Sequence, residues 1–168
     1  ITALRQSGVK SVKAAQTDRL HEVHELPHRL EPTPQQRLRI LLAEDNIVNQ
    51  RLVVRLLEKY GHTIIVASTG REALAALAQQ SVDLVLMDVQ MPDMDGLEAT
   101  AVIREQERQG GGHLTIIALT AHAMKGDQER CLASGMDAYI SKPIDAQTLS
   151  STISRVLNGA ISHNLPTR

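Results

Sequence analysis

The chain has no Phe, no Trp and only two Tyr, Tyr60 and Tyr139, so any core it builds must be aliphatic. The shortage of flat rings also removes the stacking platforms on which single-stranded nucleic acids are usually bound. A basic surplus is missing as well. Lys and Arg number 18 against 19 Asp and Glu, a formal charge of −1, which excludes the electrostatic footprint of a strong nucleic-acid binder. The single cysteine, Cys131, excludes a disulfide framework and a cysteine metal site, and fits a reducing cytosol. No apolar run approaches the roughly 20 residues that span a bilayer, so no membrane segment is expected. The start at Ile1, with no Met and no charged-then-apolar leader, reads as a fragment of a longer polypeptide.

What is present is 168 residues, 42% apolar and 22% charged, the balance of one globular domain with an appendage. Residues 1–36 carry scattered charge, three histidines and Pro27, Pro32 and Pro34, and are expected to form an irregular linker with a short helix near Thr17 to Leu26. From Leu38 the pattern changes. Leu38-Arg39-Ile40-Leu41-Leu42-Ala43 reads as a buried strand, and Asn46 is placed to cap a helix in which Ile47, Val48, Leu52, Val53, Leu56 and Leu57 recur at helical spacing until Gly61. The alternation then repeats. Strands are expected at 62–67, 83–87, 114–119 and 138–141, and helices at 70–80, 97–109, 125–133 and 145–157. Five strand-helix units predict an α/β fold, a parallel sheet with helices on both faces and right-handed crossovers. The domain is expected over 37–159, followed by a tail at 160–168.

Three of the apolar runs end in residues with chemistry: Glu44-Asp45, Asp88 and Lys142-Pro143. In parallel sheets, ligands bind beyond the carboxyl ends of the strands, where the strand order reverses. Periodicity does not fix the order. With 2-1-3-4-5, strands one and three become neighbours and their terminal carboxylates converge. Two acidic clusters and one ammonium at one edge suit a carboxylate that accepts a phosphoryl group beside a divalent metal.

Residues 38 to about 158 resemble a receiver domain of two-component signalling. The resemblance is carried by Leu41-Leu42-Ala43-Glu44-Asp45-Asn46 through Asn49-Gln50, and by Met87-Asp88-Val89-Gln90-Met91-Pro92-Asp93-Met94-Asp95-Gly96. This wording is similar to receivers attached to hybrid sensor histidine kinases. It implies the flavodoxin-like (βα)5 fold with sheet order 2-1-3-4-5. It further implies that Asp88 is the phosphoacceptor. Mg²⁺ would be held by Glu44, Asp45, Asp88 and the backbone carbonyl of Gln90, in keeping with the oxygen ligands this ion prefers. Thr120 and Lys142 match the hydroxyl and ammonium that bind the phosphoryl oxygens. Pro143 follows in a bond that the family typically keeps cis. Tyr139 matches the aromatic that turns inward when the site is phosphorylated. A half-buried tyrosine filling space in an aromatic-poor core is the plainer account of that ring.

Other features carry less. His122, two residues after Thr120, could face the phosphoryl group or be an exposed loop residue. Asp93 and Asp95 lie between Pro92 and Gly96, which mark a turn, so solvation and helix capping account for them. Gly110-Gly111-Gly112 precedes a strand rather than a helix and is read as a connection, not a phosphate cradle. His21, His24 and His28 are interrupted by Pro27 and complete no metal site. His24-Glu25-Leu26-Pro27 starts like a kinase histidine box but does not continue as one.

The resemblance implies a phosphorelay function. Asp88 would accept a phosphoryl group from phosphohistidine and relay it to a histidine phosphotransfer domain, as part of a hybrid sensor histidine kinase. A standalone regulator acting by protein contact is the alternative. A receiver catalyses its own phosphorylation and dephosphorylation, while the kinase core lies outside this chain, so classification as an enzyme stays open. The implied partners are a histidine kinase or phosphotransfer domain, with no direct nucleic acid, in a cytoplasmic setting. A haloacid dehalogenase-type hydrolase would need two aspartates two apart after the first strand, which Glu44-Asp45-Asn46 lacks. A pseudo-receiver would not need Asp88, Thr120 and Lys142 together.

Overall fold

A run such as Ile40-Leu41-Leu42-Ala43 is fully buried only when both faces of its strand are covered, because successive strand side chains point to opposite sides. That is its situation in the computed structural model, which describes residues 37–121 and 125–163. The chain divides into two units, 1–34 and 35–168. The expected N-terminal linker with its short helix, His21, His24, His28, His122 and the last residues of the expected tail all lie outside the described residues.

The order along the chain is β1 (Arg39–Ala43), α1 (Ile47–Glu58), β2 (Thr63–Ala67), α2 (Gly70–Gln79), β3 (Leu84–Asp88), α3 (Gly96–Gly110), β4 (Thr115–Thr120), α4 (Lys125–Ala133), β5 (Ala138–Ser141) and α5 (Ala146–His163). All strand pairs are parallel and the sheet order is β2-β1-β3-β4-β5, as the resemblance implied. The last helix continues to His163, past the expected end near Leu157. Apolar periodicity fades after Leu157, so the spacing carries no signal for the helix beyond it.

The alternation along each strand builds two cores. Ile40, Leu42, Leu84, Leu86, Ile117, Leu119 and Ile140 face α1 and α5, where Val53, Leu57, Leu149 and Ile153 cover them. Leu41, Ala43, Val85, Met87, Ile116 and Ala118 face the other way, covered by Ala73 of α2, Ala99 and Ile103 of α3 and Cys131 of α4. Each fully buried Leu or Ile contributes about 1.5–3 kcal/mol by leaving water. The second core takes alanines on α2 and α3 where the first takes leucines. β2 is an edge strand and only Ala67 of it is buried.

Helix starts follow from their caps. The Asn46 side chain accepts from the N–H groups of Val48 and Asn49, and Asp95 forms a capping box with Glu98 at the start of α3. Asp93, with φ of 68°, pairs with Arg71 at 2.9 Å. The glycine segment is the connection expected: α3 ends at Gly110, Gly111 and Gly112 have positive φ, and β4 begins at Thr115.

The edge of the sheet where the strands begin is tied by one arginine. Arg104 donates to the Gly135 and Leu114 carbonyls at 2.8 and 2.9 Å, and to Glu107 and Asp137 at 2.7 and 3.0 Å. Asp137 also accepts from the Ile116 N–H at 2.7 Å. Helix α3, the start of β4 and the turn before β5 are thus held together by a half-buried guanidinium whose fork geometry a lysine cannot copy. Replacing Arg104 by Met strands two carboxylates and two carbonyls, and should cost about 3 kcal/mol in denaturant unfolding; a loss below about 1 kcal/mol would put these contacts among weak surface pairs. His62 gives a second test. Its Nδ1 accepts from the Leu38 N–H at 3.3 Å, which requires an unprotonated nitrogen, and burial lowers its pKa. Protonation therefore opposes folding. Stability should fall as pH drops below about 6.5, and His62→Gln should flatten that part of the profile; identical profiles for the two proteins would contradict this.

Candidate functional site

The parallel register brings the chemistry-bearing residues to one level. Ala43 is aligned with Met87, Asp88 with Leu119, and Thr120 with Ser141, so Glu44-Asp45, Asp88, Thr120 and Lys142 all emerge at the carboxyl ends of adjacent strands. Glu44, Asp88 and Thr120 are buried while Asp45 is exposed. One ligand oxygen from each of Glu44, Asp45 and Asp88 lies within 4.8 Å of the others. This is the one acidic, His or Cys cluster of that kind among the described residues.

Lys142 reaches in from β5. Its Nζ lies 2.5 Å from Asp88 Oδ2 and 2.8 Å from Glu44 Oε2. The Lys142-Pro143 bond is cis. The other Asp88 oxygen, Oδ1, accepts from the Gln90 N–H at 3.1 Å. Close packing under the site also constrains the backbone: a Cβ on Gly96 would collide with the Asp88 carbonyl oxygen, so only a glycine lets α3 start so near the end of β3.

Charge is unbalanced here. Burial pushes the Asp88 carboxyl above the usual carboxylate range, and nearby Glu44 adds to this, against the opposing pull of Lys142 and the Gln90 N–H. Burial works against the Lys142 ammonium too, yet its contacts with Asp88 and Glu44 prevail and hold its pKa above the ordinary value. The lysine is thus a fixed cation, and it serves two carboxylates at once. Glu44 Oε2 is buried and accepts no hydrogen bond, despite its proximity to the ammonium. Three carboxylates, one of them with an under-satisfied buried oxygen, and only one ammonium to balance them, form a donor set that fits a hard divalent cation with oxygen ligands.

Beside the cluster opens a cavity of about 530 Å³, lined by Asp45, Gln90, Met91, Thr120 and Arg130 among others. Thr120 closes β4 within it. Tyr139 is half-buried and packs against the second core, one strand away from Thr120.

The family model described as response regulator receiver domain matches residues 40–154. The chain belongs to the response regulator receiver family. Among relatives of this receiver is hybrid signal transduction histidine kinase I of Dictyostelium discoideum, 46% identical over 131 residues, which are 75% of this chain and 8% of that protein. Sensor protein GacS of Pseudomonas syringae is 42% identical over 131 residues, 77% of this chain and 14% of its own length. The receiver spans less than a fifth of each of these curated relatives. A solved receiver domain of a Pseudomonas aeruginosa sensor histidine kinase, with a magnesium ion coordinated in its active-site cleft, is 38% identical with a TM-score of 0.66, over 73% of this chain and 98% of that one. A Saccharomyces cerevisiae receiver domain, solved with a histidine phosphotransfer protein, is 32% identical with a TM-score of 0.66, over 70% and 87%. No helix among the described residues is long and apolar enough to cross a membrane.

Asn49 and Gln50 stand in the sequence only as part of the receiver-like motif, yet both hold Glu44. Asn49 Nδ2 donates to Glu44 Oε1 at 2.8 Å and Gln50 Nε2 donates to the Glu44 carbonyl at 2.6 Å. Two adjacent amides one turn after an acidic pair were the available signal. The charge imbalance yields a direct test. In chelator, Asp88→Asn should raise stability by about 1 kcal/mol, since it removes one of two buried like charges while Lys142 keeps Glu44. A loss of more than about 1 kcal/mol would mean that the Asp88-Lys142 pair outweighs the repulsion.

Proposed function

We propose that this receiver takes a phosphoryl group from a phosphohistidine donor onto Asp88 and passes it on within a phosphorelay, as part of a hybrid sensor histidine kinase. The observation that carries the reading is the convergence of Glu44, Asp45, Asp88 and Lys142 at one sheet edge. An Asp88 carboxylate oxygen attacks phosphorus in line, the bond from phosphorus to the donor imidazole nitrogen breaks, and an acyl phosphate results. Lys142 moves from pairing with carboxylates to pairing with a phosphoryl oxygen, and Thr120 offers its hydroxyl to another. Glu44, Asp45, Asp88 and the Gln90 carbonyl would hold Mg²⁺, which when bound supplies the positive charge that one ammonium cannot. Positioning and charge neutralisation do most of this work, as in phosphoryl transfer generally.

Readout follows from Tyr139. With Thr120 drawn toward the phosphoryl group, the ring gains room to turn inward and the surface made by α4 and β5 changes, a shift between two states of one fold. For a donor or acceptor protein, the exposed apolar residues Ile47, Val48 and Leu52 on α1 form a docking surface next to the reacting carboxylate. The solved complex of a related receiver with a histidine phosphotransfer protein supports that class of partner. The alternative, a standalone regulator, differs in partner and not in chemistry.

Incubation with acetyl phosphate and Mg²⁺ followed by intact mass should add one phosphoryl group to the native chain and none to Asp88→Asn. Lys142→Met should slow the addition by about 100-fold or more. Absence of the adduct, or equal labelling of Asp88→Asn, would remove the phosphoacceptor role, and sustained turnover of phosphomonoesters would point to a hydrolase. Transfer between the labelled chain and a purified histidine phosphotransfer domain distinguishes the relay from the standalone regulator, which would neither transfer to it nor bind it.

A further inference from the structure

Glu44 is the acidic residue of the cluster with no solvent exposure, and its two carboxylate oxygens face different elements. Oε1 faces the first turn of α1, accepting from Asn49 Nδ2 at 2.8 Å and from the Asn46 N–H at 3.3 Å. Oε2 faces the cluster and lies 2.8 Å from Lys142 Nζ. The main chain of the same residue is gripped as well: its carbonyl accepts from Gln50 Nε2 at 2.6 Å, and Gln50 reaches on to Ser68 Oγ at 3.2 Å. A glutamate has one more side-chain torsion than an aspartate, so its carboxylate can be carried to several places. In the one observed, Oε2 lies beside the Lys142 ammonium that also contacts Asp88.

Helix formation does not account for Asn49. Asn46 already caps α1 through its own side chain, and asparagine within a helix is less favourable than alanine because its amide competes for backbone groups. The Asn49 amide spends its donor on Glu44 instead. A residue that costs its helix something and satisfies a buried acid marks a local rule broken for the sake of a site.

We propose that Asn49 is a positioning residue of the metal site, its amide clamping Glu44 Oε1 so that Oε2 stays turned toward the oxygens of Asp45 and Asp88. This rests on the reading that the acidic cluster holds Mg²⁺. Asn49 touches neither the ion nor the reacting atoms; it acts through Glu44 alone. Partners of ligating groups of this kind typically change metal affinity by about 10–100-fold when removed.

The experiment is a Mg²⁺ titration of the full chain followed by amide chemical shifts near Asp88. It compares the native protein, Asn49→Ala, Glu44→Ala and the double variant, with thermal midpoints recorded in chelator. Asn49→Ala should weaken Mg²⁺ binding about tenfold, with a modest fall in midpoint, since the gain in helix propensity only partly offsets the hydrogen bond that buried Glu44 loses. Glu44→Ala should weaken binding too, and adding Asn49→Ala to it should change nothing more. Unchanged binding in Asn49→Ala overturns the inference and leaves the phosphoacceptor reading standing. So does a loss that persists in full on the Glu44→Ala background. A native chain that binds no Mg²⁺ overturns both.

Discussion

Two buried carboxylates sharing one ammonium is the constraint around which the rest of the molecule is arranged. Lys142 Nζ is within ion-pair distance of both Asp88 and Glu44. Unit charges about 4 Å apart interact by about 4 kcal/mol in a surface-like dielectric, so Lys142 can offset one carboxylate well but not both. Burial holds the Asp88 carboxyl above its ordinary range and the Glu44 charge adds to this, against the pull of Lys142 and the Gln90 N–H. Such a site is poorly balanced when empty and better balanced with a second cation. It would repel an incoming phosphoryl group unless that cation were present. On the proposed function, the imbalance would tie the chemistry to a divalent ion.

Holding that imbalance in place is the task of the sheet. The parallel register fixes the strand ends at one level, and the two aliphatic cores fix the strands from both faces. Gly96 lets α3 start directly under Asp88. At the opposite edge of the sheet, Arg104 gathers the chain around Gly135, Leu114 and Asp137. One edge of the sheet is therefore neutralised and clasped while the other is left electrostatically incomplete, a division of stability and function common in sheets of this kind.

The sequence showed most where burial is two-sided. Ile40-Leu41-Leu42-Ala43 and Leu84 to Met87 are continuous apolar runs because helices cover both faces, and their ends announced Glu44, Asp45 and Asp88. Strand order was not in the periodicity. It is a property of pairing between distant segments, and it entered through the likeness to receivers. Arg104 was hidden because α3 carries many charges, and its pattern does not separate a guanidinium turned inward from neighbours turned outward. Asn49 was hidden for a related reason: its partner lies at a strand end, and no helical or strand repeat links the two. The end of α5 at His163 escaped because apolar spacing fades after Leu157.

The decisive property is which carboxylate carries the phosphoryl group. Borohydride converts an acyl phosphate to the corresponding alcohol, so treating the chain after exposure to a phosphohistidine donor and Mg²⁺, then sequencing its peptides by mass spectrometry, locates the acceptor. Reduction at position 88, dependent on the metal, is the expected result. Reduction at Asp45 or Asp93, or at no residue while the donor is consumed, would contradict it.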